Sequence, residues 1–231
     1  MANVTPIEEH ATWTKAGPLV SHLPADEIVV LEEQTMATVG DPTPMGLWAF
    51  ATGTWIVGTA VGGIFPPGSI VGAAPVPIVF AGIAQFIAGL FAYRRAQALA
   101  ATAFCSFGAF NTTAGFIFLL SASHVLAINA PAQVMLGFVL ESLAFIALVL
   151  AFAAMETNLG LIAVLVTLAI GYACAGIPYL VNSVGADGWG IVGNIGGWFL
   201  VASAFFAFCT GMALIVNSCR KRAVLPIWGW P

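Results

Sequence analysis

From Gly46 to Asn217 the chain is a succession of apolar runs separated by short polar or proline-rich breaks. A helix crosses a hydrocarbon core of roughly 30 Å with about 20 mostly apolar residues. Runs of that length lie near Leu47–Phe65, Pro75–Tyr93, Ala98–Ala122, Ala132–Ala154, Leu159–Val181 and Ile191–Val216. They predict an all-α, polytopic membrane protein of six transmembrane helices. The breaks have chemical reasons. Phe65-Pro66-Pro67-Gly68 cannot continue a helix, because proline lacks the backbone donor and clashes with the preceding turn. Tyr93-Arg94-Arg95 sets an aromatic anchor and two cations at an interface. Asn129-Ala130-Pro131 reads as a turn followed by a helix start. Glu156-Thr157-Asn158 and the stretch from Asn182 to Gly190 are polar or glycine-rich.

Composition strengthens this reading. The chain is 60% hydrophobic and 7% charged, with a mean hydropathy of +1.00. A water-soluble domain of this size must clothe its surface in polar groups, so lipid is the natural solvent. The cations then set the orientation. Lys15 precedes the first run, Arg94 and Arg95 join the second to the third, and Arg220, Lys221 and Arg222 follow the sixth. With six spans these regions share one side, and the opposite loops carry no cation. That is the positive-inside pattern of a cell-membrane protein with both termini cytoplasmic.

Residues 1–40 differ in kind. Glu8, Glu9, Asp26, Glu27, Glu32 and Glu33 surround a single lysine, which reads as a solvated acidic cytoplasmic tail. No cationic segment leads into an apolar run there, which argues against a cleaved signal peptide. An amphipathic regulatory helix around Ile28–Thr38 is the competing expectation. Residues 41–219 form the expected transmembrane domain, and 220–231 a basic cytoplasmic tail.

Candidate chemistry is sparse. Cys105, Cys174 and Cys209 fall inside spans and Cys219 beside the last cations, where they read as small hydrophobes rather than a disulfide framework. His10, His22 and His124 show no metal-ligand spacing, so no metal or cofactor is expected. No span holds a lysine or a histidine pair, and the only intramembrane acid is Glu141. Catalysis is a poor hypothesis on such a set; a pore, which needs lining rather than reactive groups, is a better one. Polar lining candidates at helical spacing are Gln85, Thr102, Ser106, Asn111 and Thr167. The competing reading is that these groups bond the backbone or a neighbouring helix. Gly58 and Gly62, with Gly193, Gly196 and Gly197, predict close helix packing within or between protomers. Glu141 in mid-span costs about 2.5–3.5 kcal/mol if ionised, so it must be protonated, paired or hydrated. It is a candidate proton site or selectivity element, or else a neutral carboxyl bonded across a helix contact.

The entry to the first span reads Asp41-Pro42-Thr43-Pro44-Met45-Gly46-Leu47. It resembles the Asn-Pro-Ala-Pro-Leu-Gly-Leu signature of the acetate uptake transporter, or succinate–acetate permease, family. Gly82-Ile83-Ala84-Gln85, Ala88-Gly89-Leu90 and Tyr93-Arg94-Arg95 are similar to a second family stretch, and Thr102 to Gly108 to a third. Ala132-Gln133, Gly197-Trp198 and Arg222 to Ile227 match in order. The resemblance implies a hexameric ring of six-helix protomers, each with its own narrow central pore. It implies acetate and related short carboxylates as substrates, with succinate a further candidate, moving passively or with protons. It implies a hydrophobic constriction of Phe50, Phe107 and Leu168, with Gln85, Thr102 and Ser106 as polar contacts beside it. Asp41, Pro42, Pro44 and Gly46 would frame the pore mouth.

The chain departs from the family pattern at several points. Asp41 replaces an asparagine, Phe107 a tyrosine and Ala92 a glutamate, and Asn111 sits where tryptophan is typical. A fixed anion in the pore would repel acetate, so Glu141 faces elsewhere, stays protonated, or the substrate differs. The leading expectation is a membrane channel or transporter for acetate-like monocarboxylates. Conduction of ammonia, ammonium or a neutral solute is a second, and a non-conducting membrane scaffold a third. Nothing in the sequence calls for a nucleic-acid partner.

Overall fold

The computed structural model describes residues 40–185 and 188–226. The acidic residues of the tail, the candidate helix at Ile28–Thr38 and the last residues of the chain lie outside them. Helix α1 is Thr43–Val61, α2 is Ile70–Arg94 and α3 is Ala98–Ala122. Helix α4 is Ala130–Ala153, α5 is Leu159–Leu180 and α6 is Gly190–Arg220. No strand element occurs among the described residues. The chain is a multi-pass helical membrane protein, as its hydropathy pattern requires.

Helices α2 to α6 are each long and apolar enough to cross a bilayer. Helix α1 is more polar, carrying Thr52, Thr54, Thr59, Trp48 and Trp55 in 19 residues. Its environment explains this. Twelve of those 19 residues are buried, against seven of 25 in α3, so protein rather than lipid solvates α1. Each helix packs on the next in the order α4, α5, α6, α1, α2, α3. Helices α3 and α4 meet only lightly, and this contact closes the ring.

Helix ends follow local chemistry. Helix α1 stops at Val61, earlier than the proline break at Phe65 had suggested, because Gly62-Gly63 ends it first. Gly63 has φ +76°, and Gly63 N and Ile64 N donate back to Ala60 O (3.2 Å) and Thr59 O (3.0 Å). That is the paired bonding of a Schellman cap. The same pattern closes α2 at Ala96, α3 at His124 and α5 at Asn182, each with φ between 52° and 57°. Asn129 Oδ1 accepts from Ala132 N (3.1 Å) and Asn158 Oδ1 from Leu161 N (2.9 Å), starting α4 and α5 as capped helices. Helix α2 begins at Ile70, before the expected Pro75, and contains a π-helical stretch at Val79–Ala84. Helix α6 runs beyond the expected Val216 to Arg220. Beyond it, Asn217 Oδ1 accepts from Val224 N (2.7 Å) and Leu225 N (2.9 Å), which folds the chain back onto the helix.

Small residues set the helix spacing. A Cβ on Gly197 would run into Gly62 N and Cα and the Val61 carbonyl carbon. One on Gly58 would lie 2.9 Å from Val201 N and 3.0 Å from Gly197 O. The glycine spacing of α1 therefore serves contact with α6 inside the protomer. Helices α2 and α3 meet alike, where a Cβ on Gly108 would lie 2.7 Å from Phe86 N. Gly197→Val must push α1 and α6 apart, a change expected to cost about 3 kcal/mol or more, at the upper end for overpacked sites. Thermal unfolding in detergent should show a large fall in Tm or loss of monodisperse protein. Gly72→Ala, where a Cβ meets nothing within 4 Å and the helix prefers alanine, is the control and should leave Tm unchanged or slightly raised.

Candidate functional site: an internal aromatic cluster and cavity

The polypeptide enters α1 through Asp41, whose Oδ1 accepts from Thr43 N (3.0 Å) and Thr43 Oγ1 (2.7 Å). Gly46 N then donates to Pro42 O at 3.0 Å, and Pro44 occupies the first turn, where a missing donor is harmless. A Cβ on Gly46 would strike the ring of Phe104, so this glycine lets α1 lie against α3. Asp41, Pro42, Pro44 and Gly46 thus build the start of α1, at the end of the bundle that also carries Arg94 and Arg220.

One to three turns further in, the large side chains turn inward. Phe50 of α1 and Phe107 of α3 pack with ring centroids 6.0 Å apart and planes at 49°. Phe107 also packs on Tyr172 of α5 at 6.2 Å, and Tyr172 meets Phe110 edge-on at 5.8 Å and 85°. Leu168 precedes Tyr172 by one turn, and Phe50, Phe107, Leu168 and Tyr172 all belong to one buried core cluster. Aromatic rings from three separate helices are therefore packed together.

A cavity of about 190 Å³ adjoins this cluster on the side away from the cations. All the helices contribute to its wall. Thr54, Asn111 and Tyr172 are the lining residues nearest the aromatic cluster on α1 and α5 and, next to Phe110, on α3. Val57, Val61, Ile117, Leu136, Val139 and Leu140 supply apolar wall beyond them. Tyr179 and Trp189, which share a side-chain hydrogen bond, stand towards the far end. Among the described residues, no Asp, Glu, Lys, Arg or His lines the cavity.

The polar candidates separate into groups. Gln85 is fully buried. Asn111 Nδ2 donates to Gln85 Oε1 and to Ala81 O, each at 3.2 Å, which leaves Gln85 Nε2 without a partner. Ala81 belongs to the π-helical stretch, so the side chain of α3 reaches the backbone of α2 at its irregular turn. Thr102 stands on the exposed flank of α3 and Ser106 is half-buried; neither lines the cavity. Thr167 Oγ1 donates to Ala163 O (2.6 Å) and Val164 O (3.2 Å), satisfying itself on its own helix. Glu141 is also absent from the cavity wall. It sits at the α4–α5 contact, where a Cβ on Gly176 would lie 2.6 Å from its Oε1. That oxygen is buried without a hydrogen-bond partner. Thr54 and Tyr172 were not anticipated as site residues. Tyr172 carries a usable signal, since it lies four residues after Leu168 and shares its helix face.

Fold and site together define a polytopic helical membrane protein built around a buried aromatic cluster. The chain belongs to the GPR1/FUN34/yaaH family, whose family model matches residues 28–229. It is 23% identical over 204 residues to an uncharacterized protein of Methanothermobacter thermautotrophicus, covering 86% of this chain and 94% of that one. The structure of the bacterial acetate channel SatP matches with a TM-score of 0.72 at 25% identity, covering 82% of this chain and 99% of the other. The family read from the motifs is thus the one to which the chain belongs.

The side-chain turn at Asp41, just ahead of the helix, yields a direct test. Asp41→Asn keeps an oxygen acceptor and should leave stability within a few tenths of a kcal/mol, whereas Asp41→Ala loses both bonds to Thr43 and should cost about 0.5–1 kcal/mol. Thermal unfolding of the two variants side by side measures the difference.

Proposed function

We propose that the protein conducts acetate and related short carboxylates across the membrane, with one narrow passage through each protomer. The observation that carries this reading is the buried Phe50–Phe107–Leu168 set, next to a cavity whose wall includes Tyr172 packed on Phe107, in a fold that matches a bacterial acetate channel over most of both chains. A narrow apolar ring can gate by dewetting and admit a small solute while excluding larger ones. Asp41 to Gly46 would frame the entrance, and Gln85 Nε2, a buried donor with no partner, would offer a hydrogen bond beside the ring. In this reading the cationic end of the bundle faces the cytoplasm, the acidic and basic tails lie there, and six protomers form a ring. Labelling of exposed Cys219 by an impermeant thiol reagent only from the cytoplasmic side, and a detergent-extracted mass of six protomers, test those two points.

Uptake of labelled acetate into proteoliposomes tests the function itself. Saturable uptake that requires a pH gradient supports proton symport, and gradient-independent flux supports a channel. Absence of uptake under both conditions rejects the proposal in favour of a scaffold. Phe107→Ala should raise flux several-fold or admit larger acids. Removing the ring costs about 3–5 kcal/mol in a packed core, so flux is normalised to folded protein. Unchanged selectivity would remove Phe107 from the constriction.

Succinate as a substrate and coupling to protons extend the proposal. Glu141, with an unpartnered carboxyl oxygen against Gly176, is the candidate proton site. Glu141→Gln should flatten the pH dependence of uptake, and a profile identical to the parent would leave that residue only a packing role.

A further inference from the structure

We propose that the cavity beyond the aromatic cluster holds the hydrocarbon tail of a monocarboxylic acid longer than acetate, with its carboxyl group at Thr54, Asn111 and Tyr172. This inference rests on the carboxylate reading above and names the substrate class that the passage prefers.

The cavity is divided by polarity. Its inner end carries a threonine hydroxyl, an asparagine amide and a tyrosine hydroxyl from α1, α3 and α5, each on a residue about 4% exposed. Beyond that level the walls are mainly aliphatic, from Val57, Val61, Ile117, Leu136, Val139 and Leu140. Thr54 to Val61 and Asn111 to Phe118 each span seven residues, so the apolar part extends about 10 Å along the helices at 1.5 Å per residue. Acetate has one methyl group and would leave most of that wall uncovered. A straight tail such as that of butyrate or hexanoate would cover it.

The head-group chemistry follows from the amide network. Both hydrogens of Asn111 Nδ2 are taken, by Ala81 O and Gln85 Oε1. The backbone carbonyl fixes which way the amide faces, so Oδ1 is the atom left for a ligand, and it can only accept. Tyr172 supplies a hydroxyl that can donate. One acceptor beside one donor matches the O–H and C=O of an undissociated carboxyl group. No cation among the described lining residues is present to offset a carboxylate's charge, and burying an uncompensated charge is far more costly than burying a hydrogen-bonded neutral group.

Inhibition of labelled acetate uptake in proteoliposomes tests this, with no pH gradient and protein-free vesicles subtracted. Each buried methylene is worth about fourfold in affinity. Unlabelled butyrate, with two more methylenes, should therefore inhibit at about one fifteenth of the concentration that unlabelled acetate requires, and hexanoate at no higher concentration than butyrate. Leu136→Phe fills the apolar wall and should bring the butyrate-to-acetate ratio to within about twofold. Tyr172→Phe removes only the head-group donor and should weaken both acids together, leaving their ratio unchanged. Ratios are read within each variant, so partial loss of folded protein does not disturb them. Equal inhibition by acetate and butyrate in the parent protein, alongside robust acetate uptake, would overturn this inference and leave the carboxylate passage standing. No acetate uptake at all would overturn both.

Discussion

Lipid gives helices no hydrophobic reason to associate, since hydrocarbon tails are as apolar as leucine. Contact between backbones therefore decides this structure. Gly197 against Gly62 and Val61, and Gly58 against Val201, bring α1 and α6 to a separation that no larger residue permits. Gly108 does the same for α3 against α2. These contacts lie between consecutive members of the ring of helices. At such distances dispersion acts between main chains, and polar groups such as Asn111 reach backbone atoms of the next helix.

Close backbones leave the interior free for a few large side chains. Phe50, Phe107 and Tyr172 stack there ring on ring, Leu168 belongs to the same buried cluster, and Phe110 extends the stack edge-on against Tyr172. Beyond that stack the weak α3–α4 contact leaves room, and the cavity occupies it. The polar character of α1 belongs to the same arrangement. A helix lined by protein on most sides can carry Thr59 at little cost, because the helix itself satisfies it. Thr59 donates to Ile56 O at 2.9 Å.

Much of the architecture was legible in the sequence because length and hydropathy are one-dimensional signals. The spans, the cationic end, the helix start at Asn129-Ala130-Pro131 and the polar break at Glu156-Thr157-Asn158 can be read directly. The end of α1 was misplaced because Gly62-Gly63 closes the helix before the prolines do, and two glycines inside an apolar run look like packing residues. Side-chain direction was far less legible. A membrane helix is apolar on all sides, so periodicity does not say which face is inward. Thr102 therefore looked like lining but stands on the exposed flank of α3, and Thr167 bonds its own backbone. Tyr172 and Thr54 were overlooked for the same reason. Phe50, Phe107 and Leu168 were grouped by family resemblance rather than periodicity; all three are buried members of one large core cluster. Glu141 was conspicuous by its charge, yet its place between α4 and α5 depended on Gly176, which its sequence neighbours do not reveal.

The π-helical stretch at Val79–Ala84 has a bearing on how relatives of this chain can differ in length. A π turn holds more residues than an α turn over a similar rise, so one residue can be lost there and the segment relaxes into a regular α-helix with both flanks still facing as before. Anywhere else in α2 a one-residue deletion would rotate everything beyond it by about 100°. That rotation would carry Gln85 or Gly89 out of the bundle. This turn is the natural place in α2 for evolution to add or remove a single amino acid.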